Sequence, residues 1–420
     1  MSLKLRLTIM NFLQFFIWGA WLITIGGYWF KTMEWSGTEF GAIFSTMGIA
    51  SIFMPAISGI IADRLIGAEK LLGIFHIIGA VILCLLPEVA SPSMFFVVML
   101  INMIFYMPTI SLSITVAYSA LTKNNMDIVK VYPPIRVWGT VGFIVAMWTV
   151  SLAKIETSAA QFYVAAAASA LLGIYSFFLP KCDTNKGGSK KSFVEALGLD
   201  AFQLFKQKKM ALFFIFSMLL GAALQLTNAY GDIFLHEFDS NPLFADSIAV
   251  KYPAIIMSIS QVSETLFILA IPFFLKRFGI KNVMLMSMFA WVLRFGLFGI
   301  GDPGSGLVWI IISCIVYGMA FDFFNISGSL YVESQTDEKI RASAQGLFMM
   351  MTNGFGAVLG SSVSGVVIDK FFTITENGND IRDWPNIWFA FAAYSLVVAI
   401  LFAVSFKHKH DPKEVESFSH

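Results

Sequence analysis

Apolar residues run along this chain in long unbroken blocks, with neither the strict alternation of a half-buried strand nor the narrow stripe of a soluble amphipathic helix. A bilayer core takes about 20 apolar residues of helix, and twelve blocks fit that length, at roughly 7–30, 38–62, 71–90, 93–118, 127–153, 159–180, 210–235, 248–275, 282–300, 306–333, 341–371 and 385–406. The longest blocks predict tilted helices or helices that project beyond the lipid. The first block follows Lys4 and Arg6, as the core of a signal peptide would. It is too long for one, and no small-x-small site closes it, so a retained first span is expected.

Composition agrees. Of the 420 residues 57% are hydrophobic and 13% charged, and the mean hydropathy is +0.75. Soluble domains carry about 25% charge, and no soluble core hides this much apolar surface. The excess must face lipid. The formal net charge of +1 gives no field for nucleic acid.

Charge position is more informative than charge total. With the N-terminus inside, 21 of the 28 basic residues fall in cytoplasmic segments. Lys31, Lys154, Lys251, Lys370 and Arg382 fall in outer loops, and Arg136 and Arg294 within spans. This bias predicts an even number of spans and both termini cytoplasmic. The longest polar stretch, 181–209, carries a lysine cluster and divides the chain into an N-terminal six-helix bundle (1–180), a cytoplasmic linker (181–209) and a C-terminal six-helix bundle with a short cytoplasmic tail (210–420). A faint repeat supports the division: Asp63-Arg64 follows span two and Lys276-Arg277 follows span eight, about half the chain apart. Two similar halves with a site between them describe many secondary transporters.

Cys84, Cys182 and Cys314 have no metal-ligand spacing, and an odd count argues against a disulfide framework. No metal site is expected.

Polar residues inside the spans are the candidates for chemistry. An Asp or Arg at a helix centre costs about 2.5–3.5 kcal/mol on insertion scales, so each must face the bundle interior. Five spans carry polar or aromatic residues at helical spacing. They are Gln14, Trp18 and Trp21 in span one; Arg136, Thr140 and Phe143 in span five; Gln225 and Asn228 in span seven; Gln261 and Glu264 in span eight; and Tyr317, Phe321, Asp322 and Asn325 in span ten. Single amides of this kind serve as interhelical glue, for about 0.6 kcal/mol each. Together the set suits a neutral, planar, hydroxyl-rich solute: amides and carboxylates pair with hydroxyls and base edges, and rings stack on a flat heterocycle. Arg136 is interfacial if its helix starts at Pro133-Pro134, or deeper if the helix starts near Asp127. Arg294 either snorkels outward or pairs with a carboxylate. His76, alone among the histidines in lying within a span, reads as a satisfied helix contact, and Asp232 and His236 lie where solvent reaches them.

Gly59, Asp63, Arg64 and Gly67 resemble the gate loop of the major facilitator superfamily, with one residue inserted and Glu69-Lys70 in place of its basic pair. The segments Pro133–Phe143, Gly198–Phe202, Ser258–Glu264, Tyr317–Ser329 and Arg341–Gly346 resemble the bacterial nucleoside:proton symporters, the nucleoside and xanthosine permeases of that superfamily. The resemblance covers nearly the whole chain. Ala222-Ala223 departs from it, where a relative has Ala-Glu, and the outer loop at 373–383 differs in extent.

That resemblance implies an all-α integral membrane protein of about twelve helices in two pseudo-symmetric six-helix bundles, working by alternating access. It implies a nucleoside site of Arg136, Thr140, Phe143, Gln225, Asn228, Gln261, Glu264, Tyr317 and Phe321, with proton coupling at Asp322 or Glu264 and a gate at Gly59, Asp63, Arg64 and Gly67. Uridine, adenosine or xanthosine would be carried by a monomer in the lipid bilayer, with protons as coupling ion and no other cofactor. An uncoupled nucleoside facilitator, or a symporter for another neutral hydroxylated solute, is the alternative. With no His-Glu-x-x-His and no intramembrane nucleophile cluster, no enzyme is expected.

Overall fold

Helices account for nearly all of the described residues, and their boundaries follow local chemistry. A computed structural model describes residues 1–184, 199–376 and 379–409. The chain divides into two compact units, Met1–Leu197 and Gly198–His420.

The first unit holds α1 (Leu3–Gly19), α2 (Gly37–Arg64), α3 (Ala68–Leu85), α4 (Pro92–Lys123), α5 (Ile128–Leu152) and α6 (Ala160–Ser176). The first crossing is not one straight helix. It breaks after Gly19 and resumes through Ile25–Gly27 into a π-helical turn, Tyr28–Thr32. Ser36 caps the start of α2, accepting the Glu39 N–H while its hydroxyl donates to the Glu39 carboxylate. Ser91 caps α4, with Pro92 at the first helical position, where its missing N–H costs nothing.

The second unit holds α7 (Lys208–His236), α8 (Pro253–Ile300), α9 (Leu307–Gln335), α10 (Glu338–Met349), α11 (Ala357–Phe371) and α12 (Trp384–Ser405). Spans eight and nine of the sequence reading are the two arms of α8, joined at a single non-helical residue, Gly279 (φ 76°, ψ 166°). That backbone conformation is open to glycine and strained for an L side chain. A π-helical stretch, Met350–Gly356, links α10 to α11 within one crossing. The loop 373–382 folds as an antiparallel hairpin, β1 (Thr373–Glu376) on β2 (Asn379–Arg382), with Thr373 opposite Arg382. It is fixed to the end of α7: Glu237 takes an ion pair from Arg382 and a 2.6 Å hydrogen bond from Trp384 Nε1.

Each unit turns bulky apolar side chains outward, among them Val81, Leu171, Ile174, Leu269, Phe273, Val397 and Leu401. Among the described residues nine helices are long and apolar enough to cross a membrane, with Ala160–Ser176 a shorter apolar one. Outward apolar surface on this scale suits lipid and no aqueous solvent.

Inside each unit small residues bring backbones together. A Cβ on Gly142 of α5 would lie 2.2 Å from the Phe12 carbonyl of α1, and one on Gly19 2.4 Å from the Phe143 carbonyl. Helices in lipid associate by such close packing, since lipid supplies no hydrophobic drive between them.

At the resemblance's gate loop, Arg64 is exposed, and the Asp63 side chain lies outside the described residues. About half of the proposed linker, residues 185–198 with Lys186, Lys190 and Lys191, lies outside them too. Glu69, the departure from the motif, is buried and accepts the Cys182 N–H at 2.9 Å, tying this loop to the end of α6. Burial of Cys182 pushes its thiol above the usual range, with the nearby Glu69 carboxylate acting in the same direction.

Gly142→Ala is expected to destabilise the purified protein by about 1–3 kcal/mol through overpacking, seen as a lowered Tm. Gly296→Ala, where nothing lies within 4 Å of the added methyl group, is expected to leave Tm unchanged or raise it.

Candidate functional site

In the first unit α5 runs unbroken from Ile128 through both prolines, so Arg136 lies more than two turns inside the helix and is half-buried. Its guanidinium rests over the Phe15 ring, 4.1 Å from the centroid, and makes no hydrogen bond or ion pair among the described residues. Five donors in a planar fork are therefore ready for a ligand. Thr140 and Phe143 follow on the same face, Thr140 half-buried. The Trp18 ring meets Phe143 edge-on at 6.5 Å and Tyr106 at 5.7 Å. Trp18 Nε1 is buried and has no partner among the described residues.

Gln14 belongs to a different constellation from Trp18. The Thr109 hydroxyl donates to the Tyr106 carbonyl at 2.6 Å, so Thr109 Oγ1 accepts from Gln14 Nε2 at 2.8 Å. Gln14 Oε1 then accepts from His76 Nε2 at 2.8 Å, which places the imidazole proton on Nε2. Ser169 Oγ lies 3.2 Å from His76 Nδ1, and the Tyr106 hydroxyl donates to the Gln14 carbonyl at 2.8 Å. This closed, fully buried network holds α1, α3, α4 and α6 together. His76 is a buried helix contact, as the sequence suggested, bonded to Gln14 through Nε2 and to Ser169 through its carbonyl, which accepts the Ser169 hydroxyl at 2.8 Å.

In the second unit α9 approaches the first arm of α8 without side chains intervening. A Cβ on Gly318 would lie 2.5 Å from the Ser263 carbonyl carbon and 2.6 Å from Glu264 N, and the Ser263 hydroxyl donates to the Ile315 carbonyl. Glu264 is thereby held beside Tyr317, and Glu264, Asp322 and Arg294 all act electrostatically on the Tyr317 hydroxyl. Trp291 stands edge-on to the Tyr317 ring at 5.8 Å. On α7, Gln225 is buried and Asn228 half-buried. Gln225 Oε1 and Gln261 Oε1 are both buried with no hydrogen-bond partner among the described residues. Phe321 is half-buried one turn from Tyr317 on α9. Asn325, a turn further, lines a cavity of about 270 Å³ with Ser329, Gln345, Phe348 and Met349.

Arg294 neither snorkels nor, among the described residues, pairs with a carboxylate: it points into the unit, 1% exposed, and hydrogen-bonds hydroxyls and a carbonyl. Those partners, Thr227, Ser260 and Ser313, carried no signal of their own, because Ser and Thr are common in spans and usually bond their own helix. Phe15 was likewise one apolar residue among many until the fold placed it under Arg136.

Known proteins give the arrangement a context. The family model described as nucleoside H+ symporter matches residues 1–411. The nucleoside permease NupG of Escherichia coli K12 is 53% identical, with 100% of both chains covered. The xanthosine permease of the same organism is 52% identical over 99% of each chain. A crystal structure of the nucleoside transporter NupG superimposes with a TM-score of 0.90 at 54% identity, covering 97% of this chain and 100% of that one. A POT family transporter shares only the fold, at 14% identity and a TM-score of 0.73.

Gln14→Leu removes the amide that both His76 and Thr109 depend on. It is expected to destabilise the protein by about 2–5 kcal/mol, because two buried polar groups lose their partner. Thr149→Val, whose hydroxyl only bonds its own helix at Val145, is expected to leave Tm within about 1 °C by comparison.

Proposed function

The chain belongs to the nucleoside H+ symporter family, and from that premise we propose that it takes up nucleosides by proton symport, through alternating access, with the side chains above as its substrate contacts. It is a multi-pass membrane transporter and not an enzyme.

The observation that carries the site is the pair of buried, unpartnered amide oxygens on Gln225 and Gln261. A buried acceptor without a donor costs about 1–3 kcal/mol, which a ligand hydroxyl or base N–H recovers on binding. A nucleoside supplies such donors on its ribose and base edge, and a planar face besides. We assign Gln225, Asn228, Gln261 and Glu264 to these polar edges. Within the first unit, we assign Arg136 and Thr140 as donors for substrate. We assign Phe143, Tyr317 and Phe321 as ring surface, and with them Trp18, whose buried indole N–H has no partner among the described residues.

A nucleoside is neutral, so the proton alone carries charge. Carboxylates in the membrane interior are costly while ionised. Protonation of Asp322 or Glu264 removes that cost and favours the loaded form that turns inward; release of the proton on the other side resets the cycle. Coupling requires only that proton and substrate prefer the same conformations.

We further propose that the chain works as a monomer in the cell inner membrane, as its family resemblance implies, with both termini in the cytoplasm on the strength of its basic-residue asymmetry. Of the gate motif, Gly67 has the clearest local reason to be glycine: a Cβ there would lie 2.5 Å from the Glu69 carboxylate and 2.8 Å from the Cys182 carbonyl.

Uptake of labelled uridine, adenosine and xanthosine in a transport-deficient host tests the reading. Accumulation above the medium level, stronger at acidic external pH and abolished by a protonophore, is expected. Counterflow that survives the protonophore together with no accumulation at any pH would instead identify an uncoupled facilitator. Asp322→Asn is expected to lose accumulation against a gradient while keeping exchange, whereas Gln261→Leu is expected to raise KM about tenfold or more.

A further inference from the structure

Arg294 lies on the second arm of α8, and hydroxyls and a carbonyl from three neighbouring segments bond its guanidinium. Its Nε donates to Thr227 Oγ1 at 2.9 Å. One terminal nitrogen, Nη1, donates to the Ser313 carbonyl at 2.8 Å and to Ser260 Oγ at 3.4 Å. The Ser313 hydroxyl returns a 2.8 Å bond to the Arg294 carbonyl. The guanidinium carbon lies 4.6 Å from the Tyr317 ring centroid and 4.8 Å from that of Phe298. No carboxylate lies within 4.0 Å of it among the described residues.

The addresses of these partners matter. Thr227 precedes Asn228, Ser260 precedes Gln261, and Ser313 lies one turn before Tyr317. The single guanidinium therefore grips α7, the first arm of α8, and α9 next to the candidate ligand residue of each. Stability alone does not account for a cation here, since an apolar side chain of similar volume packs such a place at least as well. Lysine does not substitute for it either: an ammonium has no planar faces to lie against two rings while bonding three acceptors.

We propose that Arg294 is the positioning residue of the second unit's site. It sets the spacing of Asn228, Gln261 and Tyr317, and its unneutralised charge biases the carboxylates that carry the proton. The titratable groups that act on it directly are Cys314 and Tyr317 of α9, and Tyr317 is in turn acted on by Glu264 of the facing arm of α8 and by Asp322 of α9. This rests on those residues forming the nucleoside site.

The test is labelled-uridine uptake by wild type, Thr227→Val, Ser260→Ala, Arg294→Lys and Arg294→Gln, each checked for folding by size exclusion and Tm, and each followed across external pH. Thr227→Val and Ser260→Ala keep the charge and loosen the grip; each is expected to raise KM about fivefold with Vmax and pH profile unchanged. Arg294→Lys is expected to raise KM further and keep the pH profile. Arg294→Gln is expected to raise KM and also to move half-maximal uptake to higher pH, because a carboxylate near fewer positive charges keeps its proton longer. Should Arg294→Gln fail to fold, the two hydroxyl variants decide. Wild-type KM in both of them, or a wild-type pH profile in folded Arg294→Gln, overturns the proposal. A wild-type protein that takes up no nucleoside defeats the functional reading itself, whereas an active wild type matched by all its variants defeats only this inference.

Discussion

A polar group within the lipid-spanning part of a helix has no water to fall back on, so it finds a partner in the protein or waits for one from outside. The rest of this structure follows from how that choice is made at each position. Gln14, Thr109, His76 and Ser169 choose the first course and close a network on themselves. Arg294 does so across three helices. Gln225 and Gln261 keep acceptors open, Trp18 keeps a donor open, and Arg136 keeps its whole fork open above Phe15. The same residue types thus serve as fastener in one place and as receptor in another. Exhausted or unexhausted hydrogen-bonding capacity separates the two.

Precision in the open groups depends on backbone contact. Where a hydrogen atom faces a neighbouring carbonyl, as at Gly142 and Gly318, two helices approach to a distance that side chains cannot reach. Their relative height is then set by hard contact and not by flexible side-chain packing. Phe143 follows Gly142, and Gly318 faces Glu264 and follows Tyr317. The closest approaches therefore lie directly beside the candidate ligand residues, where a small displacement matters most to recognition.

Much of this was legible in the sequence. Twelve apolar blocks give the crossings to within a few residues, because the requirement for span length is written in composition. The polar faces on α5, α7, α8 and α9 were legible for the same reason: intramembrane amides and charges are expensive enough to be conspicuous. What periodicity could not do was divide those residues by fate. Gln14 and Trp18 share a helical stripe, yet one is bonded to His76 and the other faces Phe143 with its N–H unmet. Arg294 looked as if it must reach water or an acid, because hydroxyls and carbonyls contributed by three other segments leave no mark along the chain. The breaks after Gly19 and at Met350–Gly356 were also hidden, since a π-helical turn has the composition of the helix around it.

Gly279 is the whole of the connection between the two arms of α8. Ordinary loops of four to six residues contain slack, so a helix on one side can tilt while its neighbour stays still. A joint of one residue contains none. Glu264 on one arm and Arg294 on the other are therefore registered against each other as if on a single folded rod. Any tilt of one arm must appear either as rotation about two backbone angles or as movement of the other arm. The chain's length is pinned at this point: an inserted residue would shift the depth of every side chain on one arm relative to its partner. Insertions that the outer hairpin could absorb would uncouple this pair of crossings.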